Sequence, residues 1–277
     1  KRLALIIPCT KYKPYITSRE HKAINAALLR DGWKPTGISE APNEFEKLLE
    51  KGDDPEIFHE GYLKKKNFIL ERIVISEPLG IVPYQFIYFW NGKQSPATSY
   101  DDPGLFESRG TSVSPYRPDS TATEVKGGKW KWGNAERSSY VEMHNHLVEV
   151  ITSSLKRVGN HYHEIVAWVS PGLTHRSFLA SKKIRLEEGI SSSRKIQGGR
   201  KKLNGVLDLE SEILKIMPTL EQLKLAQHHL EKRLKEEGRN SSPKSVRSIY
   251  ARGDGNDTPL GLKETLDYLL TCLNKIG

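Results

Sequence analysis

The residues of this chain best suited to chemistry fall in one short stretch near its start. Between Pro8 and His21 stand a thiol (Cys9), two lysines (Lys11 and Lys13), phenols at Tyr12 and Tyr15, hydroxyls at Thr10, Thr17 and Ser18, and an imidazole (His21). A short apolar run, Leu3-Ala-Leu-Ile-Ile, precedes them and stops at Pro8. Loops at the end of a rigid strand are where reactive groups tend to be placed. Nearby cations and an imidazole favour the thiolate, the nucleophilic form of a cysteine. Cys9 is therefore a candidate nucleophile, the alternative being a small apolar side chain that closes a strand. Pro14 fixes the chain direction, so Lys13 and Tyr15 project in set directions. Lys13 could then hold a carboxylate or phosphate, or polarise a substrate. Ser18 suits a helix N-cap as well as a catalytic role. His21 falls in the first helical turn, where the local dipole keeps an imidazole neutral and basic.

The elements that must position these groups follow from the apolar pattern. Leu3–Pro8 reads as a buried strand and Glu20–Leu29 as a helix. Pro55–Arg72 reads as a second helix, with Asp53 or Asp54 as cap, Pro55 in the first turn and a stripe of Ile57, Phe58, Tyr62, Phe68, Ile69 and Ile73. Ile73–Ser76 is a second buried strand, Ser138–Val158 a long amphipathic helix, and Glu164–Ser170 a third strand. Helices alternating with continuous apolar strands predict an α/β fold: a three-layer, mostly parallel sheet with flanking helices. Ligands of such sheets sit beyond the carboxyl ends of the strands. Those ends are Cys9-Thr10, Ser76–Gly80 and Ser170–Leu173, so Thr10, Tyr15, Ser76, Leu79, Gly80 and Ser170 are expected to line one substrate site.

Residues 84–139 are rich in Pro, Gly, Ser and Trp and read as an insertion or active-site flap. Within them Lys126-Gly-Gly-Lys129-Trp130-Lys131-Trp132 alternates cations with aromatics. That suits either base stacking and phosphate binding or a β-hairpin packing its tryptophans on the core. The expected layout is a catalytic core at 1–185, a basic linker at 186–202 and a C-terminal helical appendage at 203–277. The appendage would hold helices at Thr219–Glu237 and Leu260–Ile276, a subunit contact being one use for them. Cys272 on the second of these reads as a core thiol.

Formal net charge is +9 over 277 residues, and Lys182–Lys202 alone holds eight cations against two acids. Arg194, Lys195, Arg200, Lys201 and Lys202 in that stretch, with Lys129 and Lys131, are candidate nucleic-acid contacts; a solvated linker is the competing reading. No apolar run approaches the roughly 20 residues of a membrane span, and the N-terminal apolar segment is too short for a signal peptide. Two cysteines are too few for a disulfide framework. A reducing cytoplasm is the expected compartment. His144/His146 and His161/His163 lack metal-site spacing, and there is no phosphate loop or dinucleotide fingerprint. No metal and no cofactor are expected.

The segment Pro8-Cys9-x3-Lys13-Pro14-Tyr15-x2-Ser18-x2-His21 resembles the signature of the archaeosine synthase catalytic core, a tRNA-modifying family related to tRNA-guanine transglycosylases. Ser76-Glu77-Pro78-Leu79-Gly80-Ile81-Val82-Pro83 is similar to the Ser-Pro-Leu-Gly-x-Val-Pro of that core, with Glu77 inserted. Tyr100-Asp101-Asp102-Pro103 resembles its Tyr-Asp-x-Pro and adds Asp101 to the substrate-binding candidates. Agreement ends there: Gly104–Gly110 replaces the usual Val-Thr-Gly-His-Trp. The resemblance implies transfer of lysine, through its side-chain amine, to the nitrile of 7-cyano-7-deazaguanine in tRNA. Cys9, Lys13, Ser18 and His21 would be the catalytic set. It implies lysine as co-substrate, and a radical-SAM or transglycosylase-like protein as partner. Action on 7-deazaguanine in DNA, and a non-catalytic base-binding or scaffold role, stay open as alternatives.

Overall fold

The apolar run at the N-terminus forms the centre of the molecule. In this computed structural model, strand β1 (Arg2–Pro8) has Leu3 to Ile7 wholly buried. The residues described are 1–10, 12–77, 79–99, 118–172, 174–252, 256–257 and 259–276. Strand β1 pairs in parallel with β10 (Glu164–Trp168) on one side and β4 (Phe68–Ser76) on the other. The sheet runs β13 (Lys215–Met217), β10, β1, β4, β3 (Leu63–Lys65), β2 (Lys34–Pro35). Strand β13 is parallel to β10, whereas β3 is antiparallel to β4. Strand β5 (Gly80–Pro83) folds back antiparallel on the second half of β4.

Because strand side chains alternate, β1 feeds two cores at once. Leu3, Leu5 and Ile7 pack on helix α1 (Arg19–Arg30) and on the C-terminal helix Lys263–Ile276, through Ile24, Leu28, Leu266 and Leu269. Ala4 and Ile6 pack on the opposite face against helix α2 (Asn134–Gly159), through Leu147, Val148, Ile151 and Leu155. The mixed α/β architecture with a mostly parallel sheet between helices is the one the sequence predicted.

Two expectations are corrected. Pro55–Arg72 is not a helix: Pro55–Phe58 is a single 3-10 turn capped by Asp54, and Phe68–Arg72 belongs to β4. A strand buried on both faces shows no period-2 alternation, so its apolar run counts equally well as a helical stripe. The turn at Lys66, with φ +52°, separates β3 from β4. Residues 186–202 are not a plain linker. Lys182–Glu187 forms helix α4, following α3 (Thr174–Leu179), and Ser193–Ile196 (β11) pairs antiparallel with Gly199–Lys202 (β12). The C-terminal helices expected after residue 203 are present at Leu220–Glu236 and Lys263–Ile276, and the same stretch also gives the sheet its edge strand β13 and the first core Leu266, Leu269 and Cys272.

Within 84–139, Phe89–Trp90 (β6) pairs with Lys93–Gln94 (β7), Thr123–Val125 (β8) and Lys129–Lys131 (β9) form the β-hairpin alternative, and Trp132 beyond it packs on Tyr140 at 5.2 Å between ring centres. Tyr100 and Asp101 lie outside the described residues. No helix among the described residues is long and apolar enough to cross a membrane.

Leu5 is 0% exposed at the centre of this packing. Leu5→Ala is expected to cost about 2–5 kcal/mol in urea unfolding, from lost transfer energy plus the cavity. Ile38, 94% exposed, should tolerate alanine within about 0.5 kcal/mol.

Candidate active site

Three strands end on one edge of the sheet, and each delivers one chemically capable side chain. Cys9 follows β1 and is held on the sheet by its N–H donating to the Ile75 carbonyl, 2.9 Å. Beyond β10, the Val169 N–H donates to the Met217 carbonyl. The chain then turns through Gly172 into α3, and His175 stands in its first turn. His175 Nε2 lies 3.1 Å from Cys9 Sγ. Glu77, in the turn from β4 to β5, places Oε1 3.9 Å from the same nitrogen. Next to His175, Arg176 fixes α3 by donating to the Val169 and Pro218 carbonyls and pairing with buried Glu188.

Nδ1 of His175 is buried and has no hydrogen-bond partner among the described residues. Proton exchange with sulfur therefore runs through Nε2, with the neutral ring carrying its own proton on Nδ1. Burial pushes the His175 pKa below its ordinary value; Glu77 and Glu20 oppose that, and Lys13 adds to it. A neutral imidazole in contact with a thiol can take its proton, and a carboxylate nearby steadies the imidazolium that results. The arrangement suits a thiol nucleophile with its own base.

The other expected site residues divide sharply. Tyr15 and Ser76 meet, hydroxyl to hydroxyl, at 3.0 Å, and burial raises the Tyr15 pKa to about 12. Lys13 Nζ donates to the Thr10 carbonyl at 2.6 Å and sits 4.7 Å above the Tyr15 ring. Thr10 Oγ1 donates to the Tyr12 carbonyl within the same loop. Ser18 is the N-cap of α1, its Oγ accepting from the His21 N–H. Leu79 packs half-buried on the first core, and Ser170 is buried with Oγ 3.4 Å from the Pro171 carbonyl. Gly80, at φ +77°, is needed for the turn, and a Cβ there would meet Val150 of α2 at 3.4 Å.

His21 is corrected most. It is wholly buried, with Nε2 2.8 Å from the Pro8 carbonyl and Nδ1 2.6 Å from the Tyr84 hydroxyl. The neutral ring satisfies both, donating from Nε2 and accepting at Nδ1. Burial above all, with the charges of Arg72 and Lys13, lowers its pKa to about 4 although the Pro8 bond opposes this. Both nitrogens are spent on holding the strand end, so His21 positions Cys9. The imidazole that faces the thiol is His175. Sequence reading missed it, although it follows the third strand end by only a few residues. Glu77, the acid beside it, is the residue inserted in the second motif.

Of the basic candidates, Arg194, Lys195, Arg200, Lys201 and Lys202 are exposed on the β11–β12 hairpin, and Lys131 is exposed on β9. Lys129 lies on the backbone of the same strand. Among the described residues, no group of three His, Cys, Asp or Glu side chains is placed to hold a metal ion. Comparisons with protein-family models, with curated proteins and with solved structures return no match to this chain.

Two outcomes are expected. Iodoacetamide should alkylate half-buried Cys9 in preference to buried Cys272, and His175→Ala should slow that reaction at pH 7 by about tenfold, ~1.4 kcal/mol. An unchanged rate would detach the imidazole from the thiol. Stability should also fall on acidification. The His21 pKa is about 4 when folded, against about 6.5 when unfolded. The unfolded chain thus binds the extra proton between those values, and stability drops as pH falls from about 6.5 towards 4. Urea unfolding at pH 5 against pH 7 should show about 1–2 kcal/mol from this residue, absent in His21→Asn.

Proposed function

We propose that this chain is a thiol-dependent enzyme that joins an amine to the nitrile of a 7-cyano-7-deazaguanine base carried in nucleic acid. The co-substrate is lysine, reacting through its side-chain amine. The observation that carries the proposal is the 3.1 Å approach of Cys9 Sγ to His175 Nε2, with Glu77 beside that ring. Support for the substrate comes from the resemblance of the Pro8–His21 segment to the archaeosine synthase core.

The chemistry balances with the groups named. His175 takes the thiol proton, and the thiolate adds to the nitrile carbon, forming a C–S bond. The nitrile nitrogen receives the proton from the imidazolium, leaving a covalent thioimide. The lysine amine then adds to the same carbon and loses a proton to the His175–Glu77 pair. The C–S bond breaks and the thiolate leaves, which gives the amidine. No oxidant, reductant or nucleotide is consumed. Lys13, anchored over Tyr15, supplies positive charge near the sulfur during the anionic stage.

The test is incubation with isotopically labelled lysine and either tRNA or DNA bearing the cyano base, followed by mass spectrometry of nucleosides. The parent should form a lysine adduct. Cys9→Ala should fold as the parent and lose at least about a hundredfold in rate, roughly 2.7 kcal/mol of barrier. Mass spectrometry of intact parent protein without lysine should reveal the thioimide. Near-normal activity in Cys9→Ala would reduce the thiol to packing. Absence of transfer to either polymer by the parent would leave the base-binding scaffold as the better reading.

A further inference from the structure

The β11–β12 hairpin places like charges against each other. Arg194 stands opposite Lys201, and Lys195 opposite Arg200. Like charges directly across a ladder are destabilising, so an isolated hairpin of this sequence works against itself. Its two faces differ. On one, Arg194 lies over the Tyr140 ring at 5.1 Å and Lys201 stands 3.8 Å from Glu142, both partners on α2. Strand alternation turns Lys195, Arg200 and Lys202 to the other face. All three are exposed, and among the described residues no acid pairs with any of them.

The hairpin is nonetheless fixed in place. Leu203 beyond it is buried. The Asn204 carbonyl lies 2.8 Å from His144 Nε2, while the Asn204 N–H donates to Asn145 and Asn145 donates to the Lys202 carbonyl. At the tip, the Gln197 N–H donates to Asn134 at the start of α2.

Its position follows from α2. That helix leads into β10 at the amino edge of the sheet, where the His163 N–H donates to the Arg2 carbonyl. The start of α2 is therefore at the carboxyl edge. At 26 residues the helix is about 39 Å long, against about 23 Å for a seven-residue strand. Its first turns overhang the edge that bears Cys9 and His175. Tyr140, under Arg194, lies 5.8 Å from the His144 ring, which lies 4.8 Å from Phe178 of α3, the helix that carries His175; this ties the hairpin to the thiol site. The β8–β9 hairpin, with Lys126 and Lys131 exposed, enters the same end of α2.

We infer that the β11–β12 hairpin is a phosphodiester-binding arm, whose outward Lys195, Arg200 and Lys202 grip the backbone of a nucleic acid and lay it across the edge that carries Cys9. The polymer neutralises a charge arrangement that the hairpin by itself leaves unbalanced. The identity of the target base rests on the function proposed above, but binding by the arm does not.

The experiment is fluorescence-anisotropy titration of the full chain with a 20-nucleotide RNA and DNA of one sequence, single-stranded and duplex, between 50 and 400 mM KCl. Parent protein is compared with Lys195→Ala/Arg200→Ala/Lys202→Ala. Iodoacetamide labelling of Cys9 is run on both. Loss of three contacts should flatten the log–log salt slope by roughly two units on single strands, with the thermal midpoint no lower and Cys9 labelling unchanged. Equal effects on RNA and DNA mean backbone recognition, and a larger one on either names the preferred polymer. An unchanged slope, or no binding by the parent at 50 mM salt, overturns the inference. So does equal binding of heparin or anionic vesicles with the same slope, which would make the arm a general polyanion patch. A parent that binds nucleic acid but never transfers lysine would sink the proposed reaction and leave the arm standing.

Discussion

The edge that carries Cys9 and His175 depends on a buried polar chain that begins at a charge. Arg72 points from the middle of β4 into the first core and is 1% exposed. Its guanidinium donates to Asn25 of α1 and to the His59 and Gly61 carbonyls, and it lies 4.4 Å from the Tyr84 ring. Burial lowers its pKa to about 10, which still leaves it charged at neutral pH. A buried cation is costly unless it is hydrogen-bonded. The two terminal nitrogens of Arg72 are met by Asn25 and by the His59 and Gly61 carbonyls, while Nε has no partner among the described residues. Helix α1 and the 59–61 loop are therefore drawn to fixed places around the guanidinium tip. Tyr84 passes the constraint on to His21, and His21 passes it to the Pro8 carbonyl. The residue after Pro8 is Cys9. The thiol is thus located by a polar network several side chains long, inside a core whose apolar packing alone would leave the strand end free to shift.

A second constraint holds its partner. The Arg176–Glu188 pair is almost wholly buried and ties α3 to the ends of β10 and of β13. His175 is carried by the same turn. Thiol and imidazole are thus each flanked by a buried arginine whose partners span several loops: Arg72 on one face of the sheet and Arg176 on the other. The site is assembled on rigid elements, which is what a 3.1 Å contact between residues 166 positions apart requires.

The electrostatics of the edge are layered. Glu77 lies 3.9 Å from the His175 ring, and the charges of Glu77, Glu20 and Lys13 all act on it. Farther out, α2 overhangs the edge and presents two basic hairpins. An acidic inner ring suits proton handling, and a basic outer rim suits a polyanion approaching from solvent. The long helix that separates the two also forms much of the second core, so one element sets both packing and charge layout.

The sequence by itself determined the strands of the sheet centre, the helices on either side of it, the Ser18 cap and the stretch that carries Cys9. Each of these rests on local information: an apolar run closed by proline, a helical period, a capping side chain. Phe68–Arg72 was misread because burial on both faces removes the alternation that marks a strand. The charge run at 194–202 was legible as a phosphate-binding candidate, yet its hairpin pairing was not, since like charges across a ladder argue against the very structure it adopts. Only the tertiary structure decided which imidazole serves the thiol. His21, near Cys9 in sequence, is consumed by the Pro8 carbonyl and Tyr84. His175, far away, arrives because parallel strands collect their carboxyl ends on one edge. Proximity along the chain says little about which atoms meet there, because that is set by strand order and by the buried arginines that lock the loops.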